Sequence, residues 1–243
     1  MMVKTGGVVI RALKYRDNSL IADVFTEELG LRSYIVNGIY SKKGGSLNGY
    51  FQPLSLLDLV VYEREDQKLQ RIKEIKLADT APLHHFDFIR SGLILFAAEV
   101  FRMVLQERAP SPELYQKVRE LVLNIYELKE NSALFPQYFL LSLSKPLGIQ
   151  PQGDFPLTGR FFDMREGLYV PARPSHPDFM QEEISRLTFE LMQSGDVYTY
   201  FAVPKGLRQQ WLENLLRYYE IHLSQFSSLK SLSVLSQILQ QAP

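Results

Sequence analysis

The 243-residue sequence contains no cysteine, so neither a disulfide framework nor a thiolate metal site can form, and thiol chemistry says nothing about its compartment. It also lacks any run approaching about 20 apolar residues, which excludes a spanning helix. The opening MMVKTGGVVIRALKYR carries Lys4 and Arg11 and has too short an apolar stretch for a secretory signal, so a cytoplasmic protein without a membrane partner is expected. Net charge is missing as well: 27 Lys and Arg balance 27 Asp and Glu, with a pI near 6.9. That balance argues against a uniformly basic nucleic-acid binder. No G-x-S-x-G elbow and no H-E-x-x-H occurs, and Gly38 is followed by four residues before Lys43, so the Walker spacing fails. Nucleophilic, metal-hydrolytic and nucleotide-driven chemistry therefore have no visible constellation, and a non-enzyme with no cofactor and no metal is expected.

What is present is an ordinary globular composition, 46% hydrophobic and 22% charged. Over the first 80 residues the pattern is that of strands. Val8, Ile10 and Ala12 alternate with Val9, Arg11 and Leu13, Leu31, Ser33 and Ile35 alternate with Arg32, Tyr34 and Val36, and LLDLVVYE suits a pleated surface. Gly30 supplies a hairpin after Glu27-Glu28-Leu29, and a second hairpin is expected at Glu65-Asp66-Gln67. In the following segment Leu69, Ile72 and Ile75 recur every third residue, which fits a bulged strand or a helix. Five short strands in this length predict a small barrel of the OB type.

The stretch NGIYSKKGGSLNGYFQP, Asn37 to Pro53, follows the third strand. Lys42 and Lys43 sit there among glycines that let the backbone come close to a ligand, with Ser41, Ser46 and Asn48 as neutral hydrogen-bonding groups, a composition suited to phosphate. Residues 1–50 hold seven basic against four acidic side chains. This forms a positive footprint only if Arg11, Lys14, Arg16, Arg32, Lys42 and Lys43 share a face, since exposed charges more than about 10 Å apart are screened. Tyr15, Tyr34, Tyr40, Tyr50 and Phe51 are candidate stacking platforms for bases, with Tyr40 and Tyr50, which border the loop, preferred. The plain alternative is a solvated lysine turn that keeps an edge strand soluble.

Near Thr80-Ala81-Pro82 the period changes to helical. Ile89, Leu93, Phe96, Val100 and Val104 form one stripe and Leu114, Val118, Leu121, Ile125 and Leu128 another, separated by Ala109-Pro110-Ser111-Pro112 with Ser111 as N-cap and Pro112 at the first helical position. A third helix is predicted over Pro136 to Leu147, ended by Gly148. Residues 149–181 are rich in proline and glycine, with a short hairpin at Arg165-Glu166-Gly167, and helices resume at Glu182–Gln193, Leu207–Leu223 and Lys230–Gln240. The expected organisation is α+β: an OB-fold barrel over 1–80, then an α-helical domain over 81–243 with a hairpin insert at about 149–181.

The segment from Asp23 to Gly38, DVFTEELGLRSYIVNG, with the basic loop, its Gln52-Pro53 and the strand Leu54 to Arg64, resembles the N-terminal domain of the RecO family of recombination mediators. FDMREGLYVPARPSHPDFM (Phe162 to Met180) and LLRYYEIHLSQFSSLKSLSVL (Leu215 to Leu235) resemble the C-terminal domain of family members from the Bacteroides group. The resemblance implies a DNA-binding mediator of repair and recombination located at the nucleoid. It implies binding to single- and double-stranded DNA, annealing of complementary strands, and assistance to RecA on DNA coated by single-strand DNA-binding protein. The implied partners are the acidic tail of that protein and RecR, with RecA engaged indirectly. Many family members carry a four-cysteine zinc site in the region of Ile149 to Pro177. Here every cysteine is gone, and His176, Asp154, Asp163 and Asp178 are the nearest donors, so packing of Phe161, Phe162, Tyr169 and Phe179 is expected to hold that hairpin instead.

Chemistry alone, without a family motif, nominates Arg102 and Arg119 on the first two helices as the fork for an acidic tail's terminal carboxylate. Their plain reading is exposed helix arginines. His84 and His85, as neighbours about 100° apart on a helix, do not share a ligand face. His222 reads as a packed or half-exposed helix residue, and Leu229-Lys230-Ser231 matches a family pattern with no assigned role. The rival to the mediator is a protein-interaction adaptor whose helical domain binds acidic peptides while the barrel is only a scaffold.

Overall fold

The structure, a computed structural model, describes residues 1–39, 47–64, 67–78, 88–105, 109–128, 132–155, 160–195 and 202–241. The first five strands are β1 (Met2–Arg16), β2 (Ser19–Thr26), β3 (Gly30–Asn37), β4 (Leu56–Tyr62) and β5 (Leu69–Leu77), and they close into a barrel in the order β1-β2-β3-β5-β4. β3 and β5 run parallel and every other pair is antiparallel. This is an OB-like barrel, and its interior is filled by Val9, Leu20, Ala22, Val24, Tyr34, Val36, Ile39, Phe51, Leu57, Leu59 and Val61. The β2–β3 turn uses Gly30 at a φ of 67°, a left-handed conformation that glycine adopts without a Cβ penalty.

The three-residue spacing within β5 has a local cause. Val60 pairs with Glu74 and Val61 with Ile72, so Lys73 is the extra residue of a bulge that restores Ile72 and Ile75 to the same, inward face. The segment is a bulged strand, not a helix. The hairpin expected at Glu65-Asp66-Gln67 lies outside the described residues except for Gln67, whose N–H donates to the Arg64 carbonyl at 3.2 Å.

Two helices follow, α1 (Phe88–Val104) and α2 (Pro112–Tyr126). Ser111 occupies the N-cap of α2 with Pro112 after it, but its hydroxyl makes no cap bond. Both helices belong with the barrel in one compact unit, Met1–Glu127. Contacts between α1 and β1 and the ring contact of Phe25 with Tyr115 of α2 account for the full burial of Val8, Ile10 and Phe25 on the barrel's outer surface. The approach is close enough that a Cβ at Gly6 would collide with the Tyr115 hydroxyl. Tyr126 ties the same side by donating to the Leu54 carbonyl at 2.9 Å.

The second unit, Leu128–Pro243, contains α3 (Phe135–Ser144), the strands β6 (Phe161–Asp163), β7 (Leu168–Val170) and β8 (Phe179–Met180), then α4 (Glu182–Ser194), α5 (Lys205–His222) and α6 (Ser231–Gln241). Among the described residues the chain thus has six α-helices. β6 and β7 form the hairpin expected around Gly167, and β8 adds a third strand, in the order β7-β6-β8. Its core joins helices to sheet through buried hydrogen bonds. Trp211 Nε1 donates to Thr188 Oγ1 at 2.9 Å, Tyr219 Oη to the Leu140 carbonyl at 2.6 Å, and the Phe162 N–H to Ser185 Oγ at 2.9 Å.

Candidate nucleic-acid interface

Closing a barrel gives every strand an inner and an outer face, and the helices cover only part of the outer one. Strand register identifies what is left bare. Leu13 pairs with Ile21, Ile21 with Ile35, Ile35 with Arg71, Arg71 with Tyr62 and Tyr62 with Met2. All six belong to the outward set, opposite in parity to the core residues. Leu13, Tyr62 and Met2 are 51%, 41% and 58% exposed, while Ile21 and Ile35 are half-buried. From Leu13 to Tyr62 the row crosses four strand spacings, about 19 Å at about 4.8 Å each. Outward apolar and aromatic side chains in a row, exposed at its ends and half-buried in its middle, with an arginine within it, offer surface on which bases can stack while cations track phosphates.

The predicted residues distribute unevenly around this row. Lys14 and Arg16 are exposed at the end of β1, where Arg16 lies over the ring of the exposed Tyr15, 5.2 Å from its centroid. The backbone N–H of Gly38 donates to the Asn18 carbonyl at 2.8 Å, so the chain heading into residues 40–46 leaves from beside this β1–β2 turn. The turn also holds the exposed Asp17. Tyr40, Lys42 and Lys43 themselves lie outside the described residues. Arg11 is bound to Asp23, with Nη2 2.8 Å from Oδ2, and Ser33 Oγ donates to the other carboxylate oxygen at 2.6 Å. Arg32 is half-buried and ion-paired with Glu63 at 3.2 Å. Of the four arginine and lysine side chains predicted within the described barrel, two are therefore locally neutralised and two are not.

Among the aromatic candidates, Tyr34 and Phe51 are core residues and Tyr50 is half-buried against that core, leaving Tyr15 as the exposed one. Burial pushes the Tyr34 phenol well above its ordinary value, aided by the Glu63 carboxylate. Sequence reasoning passed over Tyr62, Arg64 and Arg71. The signal was available for Tyr62: with Leu57, Leu59 and Val61 inward, strand alternation points Asp58, Val60 and Tyr62 outward.

The two helix arginines have different surroundings. Arg102 is exposed in the last turn of α1. Arg119 lines a cleft with Glu27, Asp58 and Tyr115, where burial and the Glu27 carboxylate push the Tyr115 phenol up to about 12. Carboxylates in that cleft disfavour an acidic guest. The second unit holds a different cleft of about 50 Å³, lined by Ala133, Gln137, Lys205, Arg208, Gln209, Leu212 and Ser236. Gln137 is buried there; its Nε2 donates to the Arg208 carbonyl at 2.8 Å and its Oε1 has no hydrogen-bond partner among the described residues.

In the hairpin region Asp163 is paired with His176, and Asp178 with two arginines. Asp163 Oδ2 is 3.1 Å from His176 Nε2, and Asp178 accepts from Arg165 Nε at 2.8 Å and Arg217 Nε at 3.1 Å. Among the described residues no group of three or more His, Asp or Glu side chains is arranged to hold a metal, so the residues present do not fit a zinc site. The hairpin is instead packed by rings: Phe161 on Phe179 at 5.9 Å, Phe162 on Tyr169 at 5.1 Å and Phe162 on Tyr218 at 5.3 Å. His222 is half-buried, 2.8 Å from the Met164 carbonyl. His84 and His85 lie outside the described residues.

The chain is thus a closed OB-like barrel with a helical continuation and an outward row of apolar and aromatic side chains. Comparison with known proteins makes this specific. Residues 1–81 match the family model "Recombination protein O N terminal" and residues 85–155 match "Recombination protein O C terminal". The chain is 31% identical to the DNA repair protein RecO of Phocaeicola vulgatus over 98% of its own length and 99% of the relative. It is 32% identical to those of Bacteroides fragilis and Flavobacterium psychrophilum at the same coverage. The chain belongs to the RecO family of DNA repair and recombination proteins. Among the described residues no helix is long and apolar enough to cross a membrane.

Proposed function

We propose that this chain is a non-enzymatic mediator of recombinational repair that holds single-stranded DNA against the bare side of its barrel. The observation that carries the reading is the outward row Leu13–Ile21–Ile35–Arg71–Tyr62, flanked by the exposed Lys14, Tyr15 and Arg16. Exposed rings and apolar side chains accept bases, and the cations beside them offset phosphate charge. Lys42 and Lys43 extend that flank in this reading, since their loop departs beside the β1–β2 turn. Neutralising phosphates on two strands lowers their mutual repulsion, and base pairing then supplies the free energy of annealing. Double-stranded DNA binds the same cations without stacking.

The finer role is displacement of single-strand DNA-binding protein in favour of RecA, in cooperation with RecR, at the nucleoid. For docking the acidic tail of single-strand DNA-binding protein, the cleft of Lys205, Arg208 and Leu212 is better composed than the positions of Arg102 and Arg119. It combines cations with an apolar floor. The adaptor reading draws support from the neutralised Arg11 and Arg32, and early elution from heparin or single-stranded DNA resin at low salt would favour it. The direct test is fluorescence binding of a labelled single strand over a salt series, with and without a competing acidic tail peptide. Replacing Lys42 and Lys43 by alanine should weaken the log–log salt slope by about 1.4, at about 0.7 per phosphate contact. An unchanged slope removes those lysines from the site.

A further inference from the structure

The β4–β5 hairpin carries a second feature of the barrel that its family membership does not specify. A polar cavity of about 220 Å³ opens there, lined by Tyr62, Arg64, Gln67, Gln70 and Arg71. Tyr62 and Arg71 are directly paired across β4 and β5, which sets their side chains next to each other on the outer face. Arg64 is placed by the buried Gln70, whose amide is used three times on the loop backbone. Gln70 Oε1 accepts from the Arg64 N–H at 3.2 Å, and its Nε2 donates at 2.7 Å to the carbonyls of Arg64 and of Gln67. The buried amide thus fixes the loop backbone at three points, which preorganises the position of Arg64.

Of the hairpin's acidic residues, Glu65 and Asp66 lie outside the described residues. Glu63, the residue before Arg64, is committed to Arg32. Among the described residues, neither Arg64 nor Arg71 has an ion-pair partner, and both are exposed. Two guanidiniums that have no ion-pair partner among the described residues, beside an exposed phenol ring, match one repeating unit of a nucleic-acid strand: forks for phosphate oxygens and a platform for a base.

We propose that this cavity is an anchoring subsite for one nucleotide unit of a single strand, with backbone phosphates on Arg64 and Arg71 and a base on Tyr62. It rests on the single-strand reading above and names the end of the row at which the strand is fixed. The ring supplies sequence-tolerant stacking, because every base has a π-face, while the arginines supply the salt dependence.

The test uses the full chain and a fluorescein-labelled 20-mer of thymidylate, beside an abasic deoxyribose-phosphate oligomer of equal length. Arg64→Ala with Arg71→Ala should reduce the log–log salt slope by about 1.4, and Arg64→Lys with Arg71→Lys should keep it. Tyr62→Ala should weaken the thymidylate complex about 5- to 150-fold at unchanged slope, the range of about 1–3 kcal/mol per stacked base. Tyr62→Phe should bind as the natural chain does, and Tyr62→Ala should leave the abasic oligomer's affinity unaltered. If the natural chain binds but the double alanine variant keeps its slope, the arginines are not phosphate ligands and the subsite is wrong. Equal loss on thymidylate and abasic oligomers in Tyr62→Ala overturns the base platform. If the natural chain shows no salt-dependent binding at all, it is the single-strand reading that fails.

Discussion

Asp178 offers the sharpest test of how the hairpin region is held without a metal. Its carboxylate is buried, 8% exposed, and bridges Arg165 and Arg217, which reach it from the β6–β7 turn and from α5. Asp178→Asn keeps the shape and removes the charge. A hydrogen bond to a charged group contributes about 1.5–3 kcal/mol, but both guanidiniums are half exposed and regain water when released. The expected loss is therefore about 1–2 kcal/mol, below the about 3–5 kcal/mol of a fully buried broken pair. For a chain of this size that lowers Tm by about 2–8 °C. The pH dependence has a definite sign. Hydrogen bonding from Arg165, then from Arg217, holds the Asp178 carboxyl below its ordinary value. Its contribution is then fully present above the unfolded pKa of about 3.9 and is lost as pH falls through the lower folded value. Thermal melts of the natural chain and Asp178→Asn should differ by the same amount from pH 7 to pH 5 and converge only below about pH 4. Equal melting at pH 7, or a gap that closes between pH 7 and 5, would refute the carboxylate clasp.

Two further perturbations probe the rest of the fold. Gly6→Ala inserts a methyl group into the Tyr115 hydroxyl and should cost about 1–3 kcal/mol in urea unfolding, with part recovered in a Tyr115→Phe background where the oxygen is gone; no recovery would place the strain elsewhere. Adding EDTA should leave Tm unaltered, because Asp163 is paired with His176 and Asp178 with arginines; a large fall would mean that a metal supports this unit.

Periodicity and turn chemistry carried the architecture a long way. The alternation in β1, β3 and β4, Gly30 at the turn and the helical stripes from Ile89 and Leu114 were all visible in the residue order, because each reports burial on a local repeat. What needs coordinates is whatever depends on register between distant segments. Lys73 gives no local sign of being a bulge; it becomes one only when Val60 and Val61 are seen opposite Glu74 and Ile72. Arg11 reads as a free cation until β1 is laid against β2 and finds Asp23. Tyr34 reads as a platform until the barrel closes over it. β8 is two residues long, too short for any period, and exists because Phe162 and Asp163 offer a second edge. The compact units likewise separate after Glu127, where α2 ends, since α1 and α2 spend their apolar faces on the barrel.

A chain with no net charge can still present a polyanion with a favourable surface, and the ion pairs show how. Screening limits the reach of an exposed charge to about 10 Å at 0.1 M salt, so what a phosphate meets is the local balance and not the total. On the barrel Asp23 and Glu63 are absorbed by Arg11 and Arg32, and Glu27 accepts from Gln116 of α2. These contacts remove carboxylates from competition at the cost of two arginines that sequence alone would count as ligands. Lys14, Arg16, Arg64 and Arg71 remain without an ion-pair partner among the described residues, at the end of β1 and around the β4–β5 hairpin, with exposed Tyr15 and Tyr62 beside them. The row between them is apolar. In the proposed reading, phosphate neutralisation at two places joined by a stacking surface would hold a flexible single strand extended, with its bases turned to the protein, whereas a rigid duplex has no bases to offer such a row. Single strands should therefore lose affinity when Tyr62 is truncated, and duplexes should not.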